Sequence, residues 1–522
     1  MPLLKIKSIF CKPTADTDRV AGFLGPFAEL LDPLKGFLFC VGLFLIALPL
    51  LPKPLELAFC CWSIYLVMMA ATIERKWFSL TSLPPLFVVV LAGSVRWGFG
   101  GAMILVGGEY PAASFYKVFS EHLYQAQLLW AIFSTALVFV FALAHKSQIK
   151  YANNIFKRLS NTNYQLVSKV ALVAGVFTLL YVLTGVFSGT LDRSGVIYSY
   201  WVAKVWRADS LFVMFLRLKD VFFFIAPLAI SSTNNKRLRV GIIVVLIASI
   251  GAAFLTGGRG IILYPLLYFI FGLWLTPLKP HLMRIFILIF LFVSLTLVPA
   301  ISLYRSSAGF AKSSRFDIPQ RAQLISESIV NYGSADLKSR IQDTGGALYA
   351  CSDPYLFVDP ALSAPRAGFV RINRLWQTWL PTMVAPNKAS LRDAHMIAAE
   401  ITGTPRIQSE NQKYTSFMCV SYVGDLYWRG GWLWVVSGSL IFSLFYRFIS
   451  QFWYKLAGTS GLWNLFALVF PATFLIVYPA GSLGETFWLW LWDFPKYVVL
   501  IAFIGFTGLG WNYFRNSTNH SA

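Results

Sequence analysis

The stretch Val240–Gly260 reads VGIIVVLIASIGAAFLTGGRG. Its apolar run at 240–257 has the length of a helix that crosses about 30 Å of hydrocarbon. Runs of this kind recur along the 522 residues, of which 57% are hydrophobic and only 13% charged, and the mean hydropathy is +0.63. One soluble core cannot bury so much apolar surface. The composition therefore excludes a soluble enzyme and predicts an all-α polytopic membrane protein.

About twelve apolar runs, each roughly 17 to 25 residues long, predict transmembrane helices. They lie at 36–52, 56–73, 83–105, 126–145, 168–188, 211–232, 240–257, 260–276, 285–303, 431–447, 461–479 and 490–511. Charged residues interrupt the third and the sixth of these runs, namely Arg96, Arg217, Lys219 and Asp220. Either run could therefore form a half-membrane helix, or an amphipathic segment beside a water-filled cavity, instead of a full span.

Lysine and arginine in the short loops predict the orientation of these spans, because such residues accumulate on the cytoplasmic side. With the N-terminus inside, the cytoplasmic loops hold Arg75, Lys76, Lys146, Lys150, Lys157, Arg158, Lys236, Arg237, Arg239, Lys279, Arg284, Arg447 and Lys455. Both termini are then cytoplasmic. The chain divides into an N-terminal bundle of about nine spans (1–303), a large and mostly helical external loop (304–430) and about three C-terminal spans (431–522).

The formal charge of +21, from 44 Lys+Arg against 23 Asp+Glu, is only partly explained by this orientation. The external loop is also rich in basic residues, although long translocated segments are exempt from the orienting rule. This external surplus invites an anionic partner. The same loop holds Cys351 and Cys419, which form either a disulfide or two buried free thiols.

The motif Thr256–Gly260 joins two predicted spans through almost no loop. Its glycines allow a tight turn, and the backbone N–H groups and the start of the next helix favour an anion at the same place. Arg259 would face the outside mouth and bind such an anion. The alternative is a tight hairpin whose arginine reaches lipid phosphates.

A second cluster follows in the external loop. Arg371 and Arg374 are three residues apart, so on a helix they share one face and could grip a diphosphate. Trp376 and Trp379 have the same spacing and would offer faces on which sugar rings stack. The alternative is an amphipathic helix on the outer leaflet, with arginines at headgroups and tryptophans at the interface. Further along the loop, two more basic residues extend the predicted diphosphate site, Lys388 and Arg392.

Two residues are candidates for a general base. His395 follows the basic cluster, and histidine has the unperturbed pKa nearest to neutral pH, although lone histidines are often structural. Asp425, within YVGDLYWRGG (Tyr422–Gly431), either acts as a base or holds an arginine by a salt bridge. The sequence contains no P-loop, HExxH or GxSxG pattern and no zinc-type Cys/His spacing, so no metal or other cofactor is expected.

The sequence resembles the bacterial O-antigen and oligosaccharide repeat-unit polymerases, which are related to the O-antigen ligases. The resemblance spans roughly 240–445 and consists of TGGRG (Thr256–Gly260), LPTMVAPNKAS (Leu380–Ser390) and YVGDLYWRGG (Tyr422–Gly431), in this order. The chain departs from the family pattern at three positions where serine, arginine and proline are common, respectively Gly258, Thr382 and Ala389.

The resemblance implies a GT-C-like membrane glycosyltransferase in the bacterial inner membrane. Its reaction would be a metal-independent, inverting transfer of a glycan from an undecaprenyl diphosphate carrier to a hydroxyl of a second lipid-linked repeat unit. The implied partners are such glycans and membrane lipids, with a chain-length regulator left open and no nucleic acid. Two alternatives remain: a glycan ligase, which differs in its acceptor, and a transporter or flippase of lipid-linked sugars, which has a similar number of spans.

Overall fold

A computed structural model describes residues 33–49, 53–75, 85–104, 123–143, 164–187, 211–254, 318–334, 338–342, 365–370 and 421–457, and the single positions Pro265, Tyr268, Phe269, Gly272, Leu288, Ile372, Ile397, Glu400 and Leu483. Its main helices are α1 (Pro33–Ala47), α2 (Pro54–Arg75), α3 (Pro85–Gly93), α4 (Gly100–Ile104), α5 (Leu123–Ala142), α6 (Tyr164–Phe187), α7 (Leu211–Ser232), α8 (Lys236–Phe254), α9 (Ile318–Ser334) and α10 (Tyr422–Ala457). A π-helical segment, Ser94–Phe99, joins α3 to α4.

Four of the described helical stretches are long and apolar enough to cross a membrane, namely Pro54–Ile73, Tyr124–Ala142, Val167–Thr184 and Tyr422–Phe448. Shorter apolar stretches accompany them at Pro33–Ala47, Val89–Ile104 and Val221–Ser231. Helices account for all the regular structure in the described residues. This all-helical, apolar architecture indicates a membrane protein, since a helix satisfies its own backbone polar groups within lipid.

The described helices confirm many of the predicted apolar segments as helical. Helices overlap the runs predicted at 36–52, 56–73, 83–105, 126–145, 168–188, 211–232, 240–257 and 431–447. The runs at 260–276, 285–303, 461–479 and 490–511 lie outside the described residues, apart from single helical positions. Cys351 and Cys419 also lie outside them, whereas Cys40, Cys60 and Cys61 are buried free thiols.

Prolines and one asparagine explain several helix starts. Pro33, Pro54 and Pro85 each begin a helix, where the missing N–H group of proline leaves no hydrogen bond unmade. Asn235 caps α8, because its Oδ1 accepts the backbone N–H groups of Arg237 at 3.0 Å and Leu238 at 3.3 Å.

The third apolar run is helical, but its geometry changes around Arg96. The π-helical turn lies against α2 and α5: Ser94 donates its hydroxyl to the Ser63 carbonyl at 3.3 Å, and the Gln127 amide donates to the carbonyls of Trp97 and Gly98. A single π turn inside an α-helix is a common local distortion. The interruption that the sequence predicts at Arg96 is therefore a change of helical pitch within the described run.

The helix α10 contains a sharp reversal of the chain. The Tyr422 hydroxyl donates to the Gly438 carbonyl at 3.3 Å, and the rings of Tyr422 and Phe442 lie 5.0 Å apart. Residues 16 positions apart in a straight helix are separated by about 24 Å, so the two parts of α10 must run antiparallel. The reversal falls at Gly430 and Gly431, whose dihedral angles are non-helical. We call residues 422–429 the first limb and residues 432–457 the second limb.

The reversal falls at the predicted start of the span at 431–447, whereas the level of the first limb differs from the prediction. Of the two limbs, only the second is long enough to cross the membrane. The candidate span Tyr422–Phe448 includes the first limb as well, because candidates are defined by length and composition only. Phe133 is the central residue of the candidate span Tyr124–Ala142, and its ring lies 5.9 Å from that of Tyr422 and 5.1 Å from that of Phe442. The first limb therefore begins at the level of the middle of α5, whereas the sequence predicts it at the membrane boundary.

Candidate functional site

The first limb is a short helix with its own N-terminal cap. The Ser421 hydroxyl accepts the Gly424 backbone N–H at 3.0 Å, and the Ser421 carbonyl accepts the Asp425 N–H at 2.9 Å. A serine cap of this kind satisfies donors that a helix start leaves unpaired. A negative charge in the first turn, here Asp425, is also favourable at this end of the helix dipole.

Asp425 forms a buried ion pair with Arg429, one helical turn further on. The Arg429 Nε donates to Asp425 Oδ1 at 3.1 Å, and the two side chains are 1% and 0% exposed. The second oxygen, Oδ2, accepts the backbone N–H of Leu483 at 2.8 Å. Hydrogen bonds to both oxygens offset the large desolvation cost of burying this charge.

Arg429 also joins the first limb to the segment 365–370, which belongs to the predicted external loop. Its Nη1 donates to the Gly368 carbonyl at 3.1 Å and to the Val370 carbonyl at 2.8 Å. These two carbonyls flank Phe369, whose ring packs against Trp434 of the second limb at 5.0 Å. One guanidinium therefore holds the carboxylate of its own helix and two backbone carbonyls of a distant segment.

The segment 365–370 caps the C-terminal end of the first limb. The carbonyl of Tyr427 accepts Nη1 of Arg366 at 3.0 Å, that of Trp428 accepts the Ala367 N–H at 3.2 Å, and that of Arg429 accepts the Gly368 N–H at 2.9 Å. Carbonyls in the last turn of a helix lack partners within the helix. Three consecutive residues of this segment supply the missing donors, and the Arg366 charge complements the negative end of the helix dipole.

Aromatic side chains of the first limb contact further charged groups. The Arg366 guanidinium lies 4.7 Å above the ring of Tyr427, and the Trp428 indole N–H donates to Glu400 Oε2 at 2.9 Å. Such cation–π and charged hydrogen bonds are strengthened when they are partly shielded from water. The first limb thus contacts the external loop at two separate stretches of sequence.

Of the predicted site residues, Asp425 is described. The salt bridge that the sequence leaves open for Asp425 is present, and its role as a base stays a prediction. The other predicted residues lie outside the described part, namely Arg259, Arg371, Arg374, Trp376, Trp379, Lys388, Arg392 and His395. Arg371 directly follows Val370 in the chain, and His395 precedes the buried Ile397 by two residues and Glu400 by five. Neighbours of both predicted clusters therefore contact the first limb.

The contributions of Arg429, Arg366 and Glu400 to this site were not predicted from the sequence. The four-residue spacing of Asp425 and Arg429 is a readable signal, because such residues face each other on a helix. Arg366 and Glu400 carry no comparable signal, since their partners are 61 and 28 residues away.

The arrangement is suited to holding segments in place. Its charges are paired within the protein: Asp425 meets Arg429 and the Leu483 N–H, and Glu400 meets Trp428. An arrangement of this kind, with a buried ion pair at its centre, can fix the position of reactive groups on the segments that it contacts. Comparison of the chain with protein-family models, with curated proteins and with solved structures finds no match.

Proposed function

We propose that this protein is a membrane glycosyltransferase that polymerises lipid-linked oligosaccharide repeat units, as in the synthesis of O-antigen, capsule or exopolysaccharide. The donor is a glycan on undecaprenyl diphosphate, and the acceptor is a sugar hydroxyl of a second lipid-linked glycan. The proposal extends to about twelve spans, a GT-C-like architecture, cytoplasmic termini and a location in the bacterial inner membrane. It rests on the sequence motifs together with the contacts of the first limb.

The observation that carries the proposal is the ion pair between Asp425 and Arg429 with its bonds to Gly368 and Val370. It anchors the backbone immediately before Arg371, the first residue of the predicted diphosphate cluster. A leaving diphosphate is stabilised best by cations that are already in position when charge develops on it. A buried anchor beside the cluster supports such a role.

In the proposed reaction, the acceptor hydroxyl oxygen attacks the anomeric carbon of the donor sugar. The bond between that carbon and the diphosphate oxygen breaks, the configuration inverts, and the lipid diphosphate leaves with the bonding electron pair. Arg259, Arg371 and Arg374 would neutralise the leaving group, with Lys388 and Arg392 beside them. His395 would take the hydroxyl proton, with Asp425 as the alternative base. Trp376 and Trp379 would stack against the sugars.

The test is a reconstituted polymerisation assay. Purified protein in vesicles receives lipid-linked repeat units, without nucleotide and with a metal chelator, and the length of the glycans is followed by gel electrophoresis. We expect lengthening by the wild type and a loss of about a hundredfold or more in Arg259→Ala and Arg371→Ala, because each removes a charge at the leaving group. Arg237→Ala is the matched control, since Arg237 is exposed at the start of α8.

Full activity of both Arg259→Ala and Arg371→Ala would show that the diphosphate assignment is wrong. Two further arms separate the alternative functions. A glycan ligase would transfer the glycan to an acceptor that carries no lipid diphosphate, and would not lengthen lipid-linked units. A transporter or flippase would move lipid-linked sugar across the vesicle membrane without lengthening it. Either result in the wild type would replace the polymerase proposal.

A further inference from the structure

A continuous path of hydrogen bonds crosses the first limb. It runs from the Leu483 N–H to Asp425, from Asp425 to Arg429, and from Arg429 to the carbonyls of Gly368 and Val370. Leu483 belongs to the C-terminal part of the chain, and Gly368 and Val370 belong to the external loop. The path therefore ties together two segments that are more than a hundred residues apart through one buried ion pair.

The burial of this pair requires an explanation beyond stability. A buried ion pair can often be replaced by apolar residues of similar volume without loss of stability, because desolvation offsets most of the charge attraction. Apolar side chains at 425 and 429 could not, however, bond to a backbone N–H and to two backbone carbonyls. Unlike an apolar contact, the planar guanidinium also fixes the direction of its partners. The ion pair is therefore suited to holding these backbone groups in a fixed position.

The segment that this ion pair holds in position is 365–370. The two carbonyls that Arg429 holds lie on either side of Phe369, and the second of them belongs to Val370, which directly precedes Arg371. The same segment is held from the other side by the bonds of Ala367 and Gly368 to the carbonyls of Trp428 and Arg429. Backbone bonds in both directions leave the chain little freedom at the point where the predicted basic cluster begins.

We propose that Asp425 and Arg429 are positioning residues, which fix the segment 365–370 against the first limb and thereby set where the chain enters the predicted diphosphate cluster that begins at Arg371. Neither residue need touch the substrate for this role. The diphosphate part of this inference rests on the proposed function, whereas the anchoring of 365–370 by Arg429 does not. The experiment below separates the two.

The anchoring is tested by cross-linking. In a chain whose six cysteines are replaced, Phe369→Cys and Trp434→Cys are introduced together, and bridging by a short bifunctional thiol reagent is timed in detergent. We expect Arg429→Gln to slow bridging about tenfold, because the carbonyls beside position 369 lose their donor. Arg237→Gln should leave the rate unchanged. If Arg429→Gln bridges as fast as the parent, the anchoring proposal is overturned.

The link to activity is tested on the same proteins. If misplacement is the cause of lost turnover, bridging positions 369 and 434 should restore lengthening in Arg429→Gln to within about threefold of the bridged parent. An active parent with no such rescue would overturn the positioning role. Slower bridging in Arg429→Gln with no lengthening by the wild type would contradict the proposed function alone and uphold the anchoring. If Arg429→Gln does not fold, Arg429→Lys serves in its place, since it keeps a positive charge beside Asp425 but cannot reproduce the bonds to both carbonyls.

Discussion

Arg429 makes its bonds through two different nitrogens of one planar group. Nε faces Asp425 and Nη1 faces the carbonyls of Gly368 and Val370, so the guanidinium contacts acceptors in two directions. A lysine offers its donors from a single nitrogen at the end of a flexible stem and cannot reproduce this geometry. At the residue scale, the site therefore depends on arginine as such and not only on a positive charge.

Arg429→Met is expected to destabilise the protein by about 3–5 kcal/mol, because Asp425 remains as a buried charge without its counter-ion. Adding Asp425→Asn to that variant should recover part of the loss, since the uncompensated charge is then removed. Thermal unfolding in detergent, followed by tryptophan fluorescence, gives both values. Equal unfolding midpoints for wild type and Arg429→Met would contradict the importance of the pair.

Gly431→Ala tests the chain reversal. Gly431 has φ of 67° and ψ of −154°, a conformation that is essentially limited to glycine, so an alanine should cost about 1–3 kcal/mol. The matched control is Gly251→Ala in α8, where an added Cβ has no atom within 4 Å and alanine is the better helix former. The same unfolding measurement should rank Gly251→Ala at or above wild type. A Gly431→Ala protein as stable as wild type would argue against the reversal.

At the scale of elements, α6 packs closely on α7 and α8 because one of its residues is a glycine. A Cβ on Gly175 would lie 2.6 Å from the ring of Phe222 in α7 and 2.9 Å from Val245 in α8. A second contact joins α6 to α7, since the Ser168 hydroxyl donates to the Ala229 carbonyl at 3.4 Å. Small residues permit this approach of helices in membranes.

Gly175→Ala should therefore lower stability by about 1–3 kcal/mol through overpacking, and Phe222→Leu should relieve part of that loss in the double variant. Gly241→Ala is the control, because the nearest atom to its added Cβ, in Leu172, lies at an ordinary 3.5 Å. The measurement is a comparison of unfolding midpoints for four variants: Gly175→Ala, Phe222→Leu, the double variant and the control. Additive losses in the double variant would show that the two residues do not compete for the same space.

Apolar length predicted many of the described helices, because that signal is local to each segment. The reversal of α10 was not predicted: Gly430 and Gly431 mark a break, but the contact of Tyr422 with Phe442 that shows its direction is tertiary. Similarly, Arg96 announced an irregularity in its run, whereas the π turn is supported by Gln127 and Ser63 from other helices. Sequence locates such breaks, and packing decides their shape.

At the scale of the molecule, three contacts between described residues join segments that are far apart in the sequence. Gln342, in the predicted external loop, donates to the Ile104 carbonyl at 3.3 Å, the Leu483 N–H donates to Asp425, and Arg429 donates to the Gly368 carbonyl. The charge count predicts that all these segments lie on the outer side. The side of the membrane itself remains a prediction.

That prediction can be checked with single cysteines in a chain freed of its native ones. Ser326→Cys lies at an exposed position of α9, in the external loop, and Asn234→Cys is exposed between α7 and α8. An impermeant thiol reagent applied to intact spheroplasts should label Ser326→Cys at once and Asn234→Cys only after permeabilisation. The opposite pattern would invert the topology, and equal labelling of both before permeabilisation would exclude it.

The candidate site was predictable only in part, because some of its contacts are local in the sequence and others are long-range. Asp425 and its salt bridge could be anticipated, since Arg429 lies one helical turn away. The Leu483 bond and the cap formed by Arg366, Ala367 and Gly368 involve residues 58 to 61 positions distant, and no local pattern announces them. Sequence can therefore propose chemical groups, whereas the frame that holds them is a property of the folded chain.

The spacing of Asp425 and Arg429 also affects the order in which the contacts of Asp425 can form during synthesis. The arginine leaves the ribosome four residues after the aspartate, whereas Leu483 follows 58 residues after it. The carboxylate therefore has its counter-ion before the spans predicted at 461–479 and 490–511 are synthesised, and a limb that enters the bilayer as a neutral pair has a lower cost of insertion. Residues 365–370 have already been synthesised by then. Most of the frame can thus assemble during biogenesis, and the bond from Leu483 completes it last.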